Sequence, residues 1–104
     1  MSLRVQLDPK LVGETKAYTF DFSSQIGVGV TLSGPVCTSV VYSGTDAAPS
    51  GVISGAASAS GAIVTQKLAA GTVGVIYEIT CTVTTSDSQT LQLVGYLAVI
   101  PKLP

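Results

Sequence analysis

The sequence predicts an all-β fold, an immunoglobulin-like antiparallel β-sandwich of about seven strands, and three observations predict it. Apolar and polar residues alternate with a period of two through segments rich in Val, Ile, Thr and aromatic residues. Gly, Ser, Asp and Pro breaks recur about every 8 to 15 residues. No stretch carries a sustained apolar stripe at helical spacing. At 104 residues the chain has the length of one domain, residues 1–104, with no room for a second.

The first expected strand is Leu3 to Leu7, ended by the Asp8-Pro9 breaker. Thr15 to Phe22 follows, placing Tyr18, Phe20 and Phe22 on one face and Ala17, Thr19 and Asp21 on the other. Val28 to Ser33 and Val36 to Tyr42 read as one strand bent at Gly34-Pro35, because proline inside a strand marks an edge or a bulge. The small-residue stretch Gly44 to Gly61 is expected to be a mobile surface loop around a weak strand near Val52-Ile53, or else a partner-binding loop. Its alanines do not make a helix, because Gly51, Gly55, Gly61 and the serines between them oppose one.

Ala62 to Leu68 is the next strand, and the last hairpin gives the clearest signal. Val73 to Thr85 sends Tyr77, Ile79, Cys81 and Val83 inward and Glu78, Thr80, Thr82 and Thr84 outward, and Ser86-Asp87-Ser88 makes the turn. The return strand, Gln89 to Ile100, sends Leu91 and Leu93 inward and is expected to change phase at a bulge near Gly95. Tyr77, at the start of the sixth strand, has the position of a tyrosine corner, a hydrogen bond that specifies the fold.

Hydrophobic residues make up 46% of the chain, yet the longest apolar run, Leu93 to Ile100, is far shorter than the ~20 residues of a membrane-spanning helix. Charged residues are only 11% and the net charge is -1, so neither nucleic acid nor a membrane is an expected partner. With 12 Ser and 12 Thr, hydroxyl groups supply much of the polar surface. Arg4, Asp8 and Lys10 interrupt the amino-terminal apolar residues, which leaves no signal-peptide core and makes synthesis in the cytoplasm the default. Met1 to Leu3 resemble a common vector-derived leader, and nothing rests on them.

Catalytic chemistry finds little support. The chain has no His, which removes His-based triads, His general bases and the usual zinc sites. The six carboxylates, Asp8, Glu14, Asp21, Asp46, Glu78 and Asp87, are scattered without calcium-loop spacing. Gly27-Val28-Gly29 is not continued into a phosphate-binding motif, and no S-x-x-K occurs. No catalytic, cofactor-binding or metal-binding residue is assigned, and no cofactor is expected. Tyr42 and Tyr96 are expected to pack as strand residues, the alternative being exposed aromatics for a sugar or a partner.

Cys37 and Cys81 both sit in apolar strand patterns. If their strands are neighbours the two face each other, and a bridge would contribute about 4 kcal/mol. Antibody domains bridge the second and sixth strands, whereas Cys37 falls in the third. Two buried free thiols are the default in a reducing cytoplasm, with the disulfide as the alternative.

Two blocks carry a resemblance. Gly13 to Phe22, GETKAYTFDF, is similar to the G-E-x-x-x-Y-x-F-D-W/F opening of small tailed-bacteriophage fibre-tail adaptor proteins. Leu68 to Thr90 resembles their closing segment, L-x-x-G-x-x-G-x-x-Y-x-V-T-x-x-I-T-T-x-x-G-R-T. The chain departs from that pattern in lacking the family's third-strand tryptophan, near whose position Cys37 stands, and in reading Ser88-Gln89 where the family's turn often has Gly-Arg.

The resemblance implies a phage or prophage virion component in or near the tail, made in the bacterial host cytoplasm. It implies contacts with other virion proteins and a homo-oligomer, with no activity of its own. The other class of function is a bacterial immunoglobulin-like module for ligand binding, carbohydrate binding or adhesion, a reading weakened by the absence of Trp and the presence of only 4 Tyr.

Overall fold

The computed structural model describes residues 4–101 as eight strands in two packed sheets. They are β1 (Arg4–Gln6), β2 (Lys10–Leu11), β3 (Lys16–Asp21), β4 (Leu32–Ser43), β5 (Ile53–Ser60), β6 (Ile63–Leu68), β7 (Ile76–Thr85) and β8 (Thr90–Ile100). The larger sheet runs β1-β8-β7-β4, with β2 on the same side of β8 as β1, and the smaller runs β3-β6-β5. All pairings are antiparallel except those of β1 and β2 with β8. β1 and β2 are two pieces of one sheet edge separated by Asp8-Pro9, where proline cannot donate to the ladder. The all-β sandwich expected from the two-residue period is what forms.

Alternation builds the core between the sheets. β3 contributes Tyr18 and Phe20, with Phe22 just beyond it; β6 contributes Val64 and Leu68. From the larger sheet come Tyr77, Ile79, Cys81 and Val83 on β7 and Leu93, Leu97 and Val99 on β8. Phe20, Phe22, Tyr77, Ile79 and Leu97 are completely shielded, and each apolar side chain of this size contributes on the order of 1.5–3 kcal/mol when buried.

Four sequence expectations need correction. Val28 to Val30 is a turn, in which the Val30 N–H bonds the Gly27 carbonyl at 3.2 Å, and the strand begins only at Leu32. From there it is the one bent strand expected, its register shifting between Ser33 and Val36 at Gly34-Pro35.

Second, the stretch taken as a loop from Gly44 to Gly61 ends in an eight-residue strand, β5, with Ala57 and Ala59 packed on the core. A wide bulge between Ser54 and Ser58 lets this small-residue strand follow β6. The Gln66 side-chain amide, buried opposite that bulge, donates to the carbonyls of Ser54 and Gly55, each at 3.1 Å.

Third, β8 does not change phase at Gly95. Its register with β7 runs unbroken from Thr90 to Ala98, so Leu93, Gly95, Leu97 and Val99 all face inward. No bulge is needed because Gly95, lacking a side chain, continues the inward row in step. Fourth, Val73 to Val75 forms a turn, held by the Val75 N–H to the Thr72 carbonyl at 3.1 Å, and β7 starts at Ile76. Met1 to Leu3 lie outside the described residues.

Candidate functional site

The sequence nominated few residues for chemistry, and the structure gives most of them local fold-holding tasks. Asp21 Oδ1 accepts the Ser23 N–H at 2.8 Å, and that bond lowers the Asp21 pKa below its ordinary value. Glu14 Oε1 accepts the Leu11 N–H at 2.8 Å. Glu78 Oε2 accepts the Tyr96 hydroxyl at 3.3 Å, and Asp87 accepts the Thr85 hydroxyl within the hairpin turn. Among the described residues no three His, Cys, Asp or Glu side chains converge where a metal ion would be held. Gly27 and Gly29 belong to the exposed turn before β4.

Tyr77 forms the corner its position predicts, with a partner the sequence did not reveal. Its hydroxyl accepts the Thr72 N–H at 2.7 Å and donates to Asp46 Oδ2 at 2.6 Å, across from the loop after β4. Burial raises the Tyr77 pKa and the Asp46 carboxylate adds to it, while the tyrosine bond and the Ala48 N–H lower that of Asp46. Gly71 lines the same corner: a Cβ there would stand 2.7 Å from Val99 Cγ2.

Lys10 is the residue that sequence reasoning missed. Its side chain is fully shielded, with Nζ donating to the Glu14 carbonyl at 2.9 Å and the Leu11 carbonyl at 3.2 Å. Burial lowers its pKa, the nearby Glu14 opposes the shift and Lys16 adds to it. The Tyr18 hydroxyl donates to the Asp8 carbonyl at 3.0 Å beside it, so this group staples the amino-terminal edge to β3.

Cys37 and Cys81 are both free and buried, and they are direct partners on β4 and β7. The expected facing pair is therefore present as thiols.

The feature able to meet another macromolecule is the outside of the larger sheet and its edge at β4. No charged residue occurs between Asp21 and Asp46, a span that includes all of β4. Val36, Val40 and Tyr42 point outward from β4 and are 58%, 50% and 60% exposed. Tyr42 packs on Tyr96 of β8, with ring centroids 4.6 Å apart and planes tilted by 55°. Tyr96 is thus half-buried as a packed strand residue, whereas Tyr42 is the exposed aromatic of the alternative, set against Tyr96 on the outer face.

β4 is a sheet edge, and its backbone is only half used. Ser86 donates its N–H to the Thr31 carbonyl, while the Thr85 N–H bonds the Gln89 carbonyl. Even-numbered β7 residues therefore address β4, and odd-numbered ones address β8. In the β4 register this pairs Val36, Thr38 and Val40 with β7 and leaves the peptide groups of Cys37, Ser39 and Val41 directed at the open edge. Native sheets usually guard such edges with charge, proline or a bulge; β4 has Gly34-Pro35 at one end and a register break between Val41 and Ser43 at the other, with the uncharged stretch from Val36 to Val41 between them.

No curated protein matches the chain significantly. A family model, the podophage GP4 fibre-tail adaptor protein gp77, matches residues 10–97 and so takes in both sequence blocks that carry the resemblance. The chain therefore belongs to the podophage GP4 fibre-tail adaptor family, a structural family of the phage tail.

Proposed function

We propose that this protein is a non-catalytic tail or fibre-tail adaptor component of a phage or prophage virion, acting as a homo-oligomer through protein–protein contacts. It is one domain, made in the host cytoplasm and assembled into the tail with other virion proteins, using neither nucleic acid nor a membrane as partner. None of its side chains serves as a catalytic, cofactor or metal residue. The strand order, β3-β6-β5 facing β8-β7-β4, supports the immunoglobulin-like reading. Membership of an adaptor family supports the tail role.

One structural observation carries the contact mechanism: the twelve-residue, uncharged β4 edge with Val36, Val40 and Tyr42 beside its open peptide groups. A low-charge surface costs little to desolvate, and open peptide groups accept an added strand. Size-exclusion chromatography with light scattering tests the reading. The expected result is a discrete multi-subunit species that Val40→Lys dissociates while circular dichroism stays unchanged. A wild-type chain that remains monomeric at high concentration overturns the homo-oligomer.

A further inference from the structure

We propose that Cys37 and Cys81 form an oxidation site, in which hydrogen peroxide converts the opposed thiols of β4 and β7 into an intramolecular cross-strand disulfide. Three features on separate parts of the fold lead there.

The first is register. Cys37 and Cys81 are direct Cα partners, and both side chains enter the space between the sheets. The alternation that sends odd-numbered β7 peptide groups to β8 is repeated at the far end, where the Val99 N–H bonds the Val75 carbonyl at 3.3 Å. Cys81 therefore makes its peptide bonds to β8, and the Cys37–Cys81 pair is of the non-hydrogen-bonded kind. Such pairs bring Cα atoms to about 4.5 Å and hold their side chains closest. Disulfides need Cα separations of about 4.4–6.8 Å, so the bond requires side-chain rotation and little backbone movement.

The second is access. Cys37 lines a cleft of about 210 Å³ between β4 and the bulged part of β5, together with Pro35, Ile53, Gly55 and Ala57. The cleft exists because β5 has only small side chains at its bulge. It is open to solvent and has room for several waters, so a peroxide can enter it.

The third is the asymmetry of the pair. Hydrogen bonding with Cys81 lowers the Cys37 pKa against the opposing effect of burial. The same contact, burial and the Cys37 charge all raise that of Cys81. Cys37 lines the cleft while Cys81 is fully buried behind it, so Cys37 is the attacking sulfur.

The reaction balances as follows. Cys37 sulfur attacks one peroxide oxygen; the S–O bond forms as the O–O bond breaks, and the departing hydroxide leaves as water with the Cys37 proton. Cys81 sulfur then attacks the sulfenic sulfur; the S–S bond forms as the S–O bond breaks, and hydroxide leaves as a second water with the Cys81 proton. Two thiols lose two electrons, and one peroxide becomes two waters.

The test treats the full-length chain with dilute hydrogen peroxide and reads intact mass, thiols titratable in denaturant, and thermal melting. The expected product is lighter by two hydrogens, has no titratable thiol, migrates as a single chain without reductant, and melts about 15–20 °C higher until reduced. In Cys81→Ser the reaction stops at a sulfenic acid on Cys37 that a cyclic diketone traps, whereas Cys81 of Cys37→Ser stays unmodified. Two remaining thiols, chains cross-linked to each other, or faster oxidation of Cys81 than of Cys37 in the single variants would overturn the proposal.

Discussion

A single phenol, Tyr77, joins three segments: its own strand, the turn at Thr72 just before it and the distant loop at Asp46. Tyr77→Phe keeps the packing but leaves the Thr72 N–H and the Asp46 carboxylate without their common partner. We expect a loss of about 0.5–1.5 kcal/mol in urea unfolding, because water can reach both groups and only the net value of the hydrogen bonding is lost. Asp46 adds a pH dependence of known sign. Its folded pKa lies below the unfolded value of 3.8, so its contribution is present above that pH and is lost as pH falls through the folded pKa. Asp46→Asn should flatten the acid limb of stability against pH, and an unchanged limb would show that the Tyr77 bond is not formed in solution. Tyr77 was legible from its place at the strand start. Asp46 was not, because nothing local marks a loop carboxylate as the partner of a residue 31 positions away.

The β7–β8 hairpin shows how an element both follows and departs from its pattern. Thr85 and Gln89 close the turn through the Thr85 N–H to the Gln89 carbonyl at 2.8 Å, with Ser88 held at φ 68°. That is the left-handed region, which costs an ordinary L-residue roughly 1–2 kcal/mol and glycine nothing comparable. The related adaptor pattern often has glycine at this turn position, and the backbone explains why. Ser88→Gly should stabilise the protein by about 0.5–1 kcal/mol after glycine's unfolded-state entropy is counted, read as a higher urea midpoint. β7 was legible because large inward residues alternate with threonines. β5 was not: alternating Ala and Ser bury too little area to separate a strand from a loop, and Gln66, which satisfies the bulge, lies on another strand. The Lys10 burial was hidden for a similar reason, since the turn back to Glu14 brings in the second of the two carbonyls that accept its ammonium.

For the molecule as a whole, one buried cluster draws on both sheets, from Leu7 before β2 to Val99 near the end of β8. A core shared in this way has no natural seam, so unfolding should be a single transition. With 4 Tyr and no Trp, tyrosine fluorescence and far-ultraviolet circular dichroism are the paired probes. Their urea curves should coincide, and two separated midpoints would mean that the sheets come apart independently. At this scale the layer architecture was readable from periodicity. The contact surface was not, since Val36, Val40 and Tyr42 read like any other strand residues until the sheet order places them at a rim.

The strand directions of the larger sheet carry a geometric consequence. β4 lies antiparallel to β7, β7 antiparallel to β8, and β1 parallel to β8, so the two opposite rims run the same way. Subunits laid side by side, rim against rim, would pair in parallel and repeat with one polarity. Such a head-to-tail arrangement closes into a ring or continues as a filament, whereas two copies meeting through the same rim would be bound to a two-fold axis and stop at a pair.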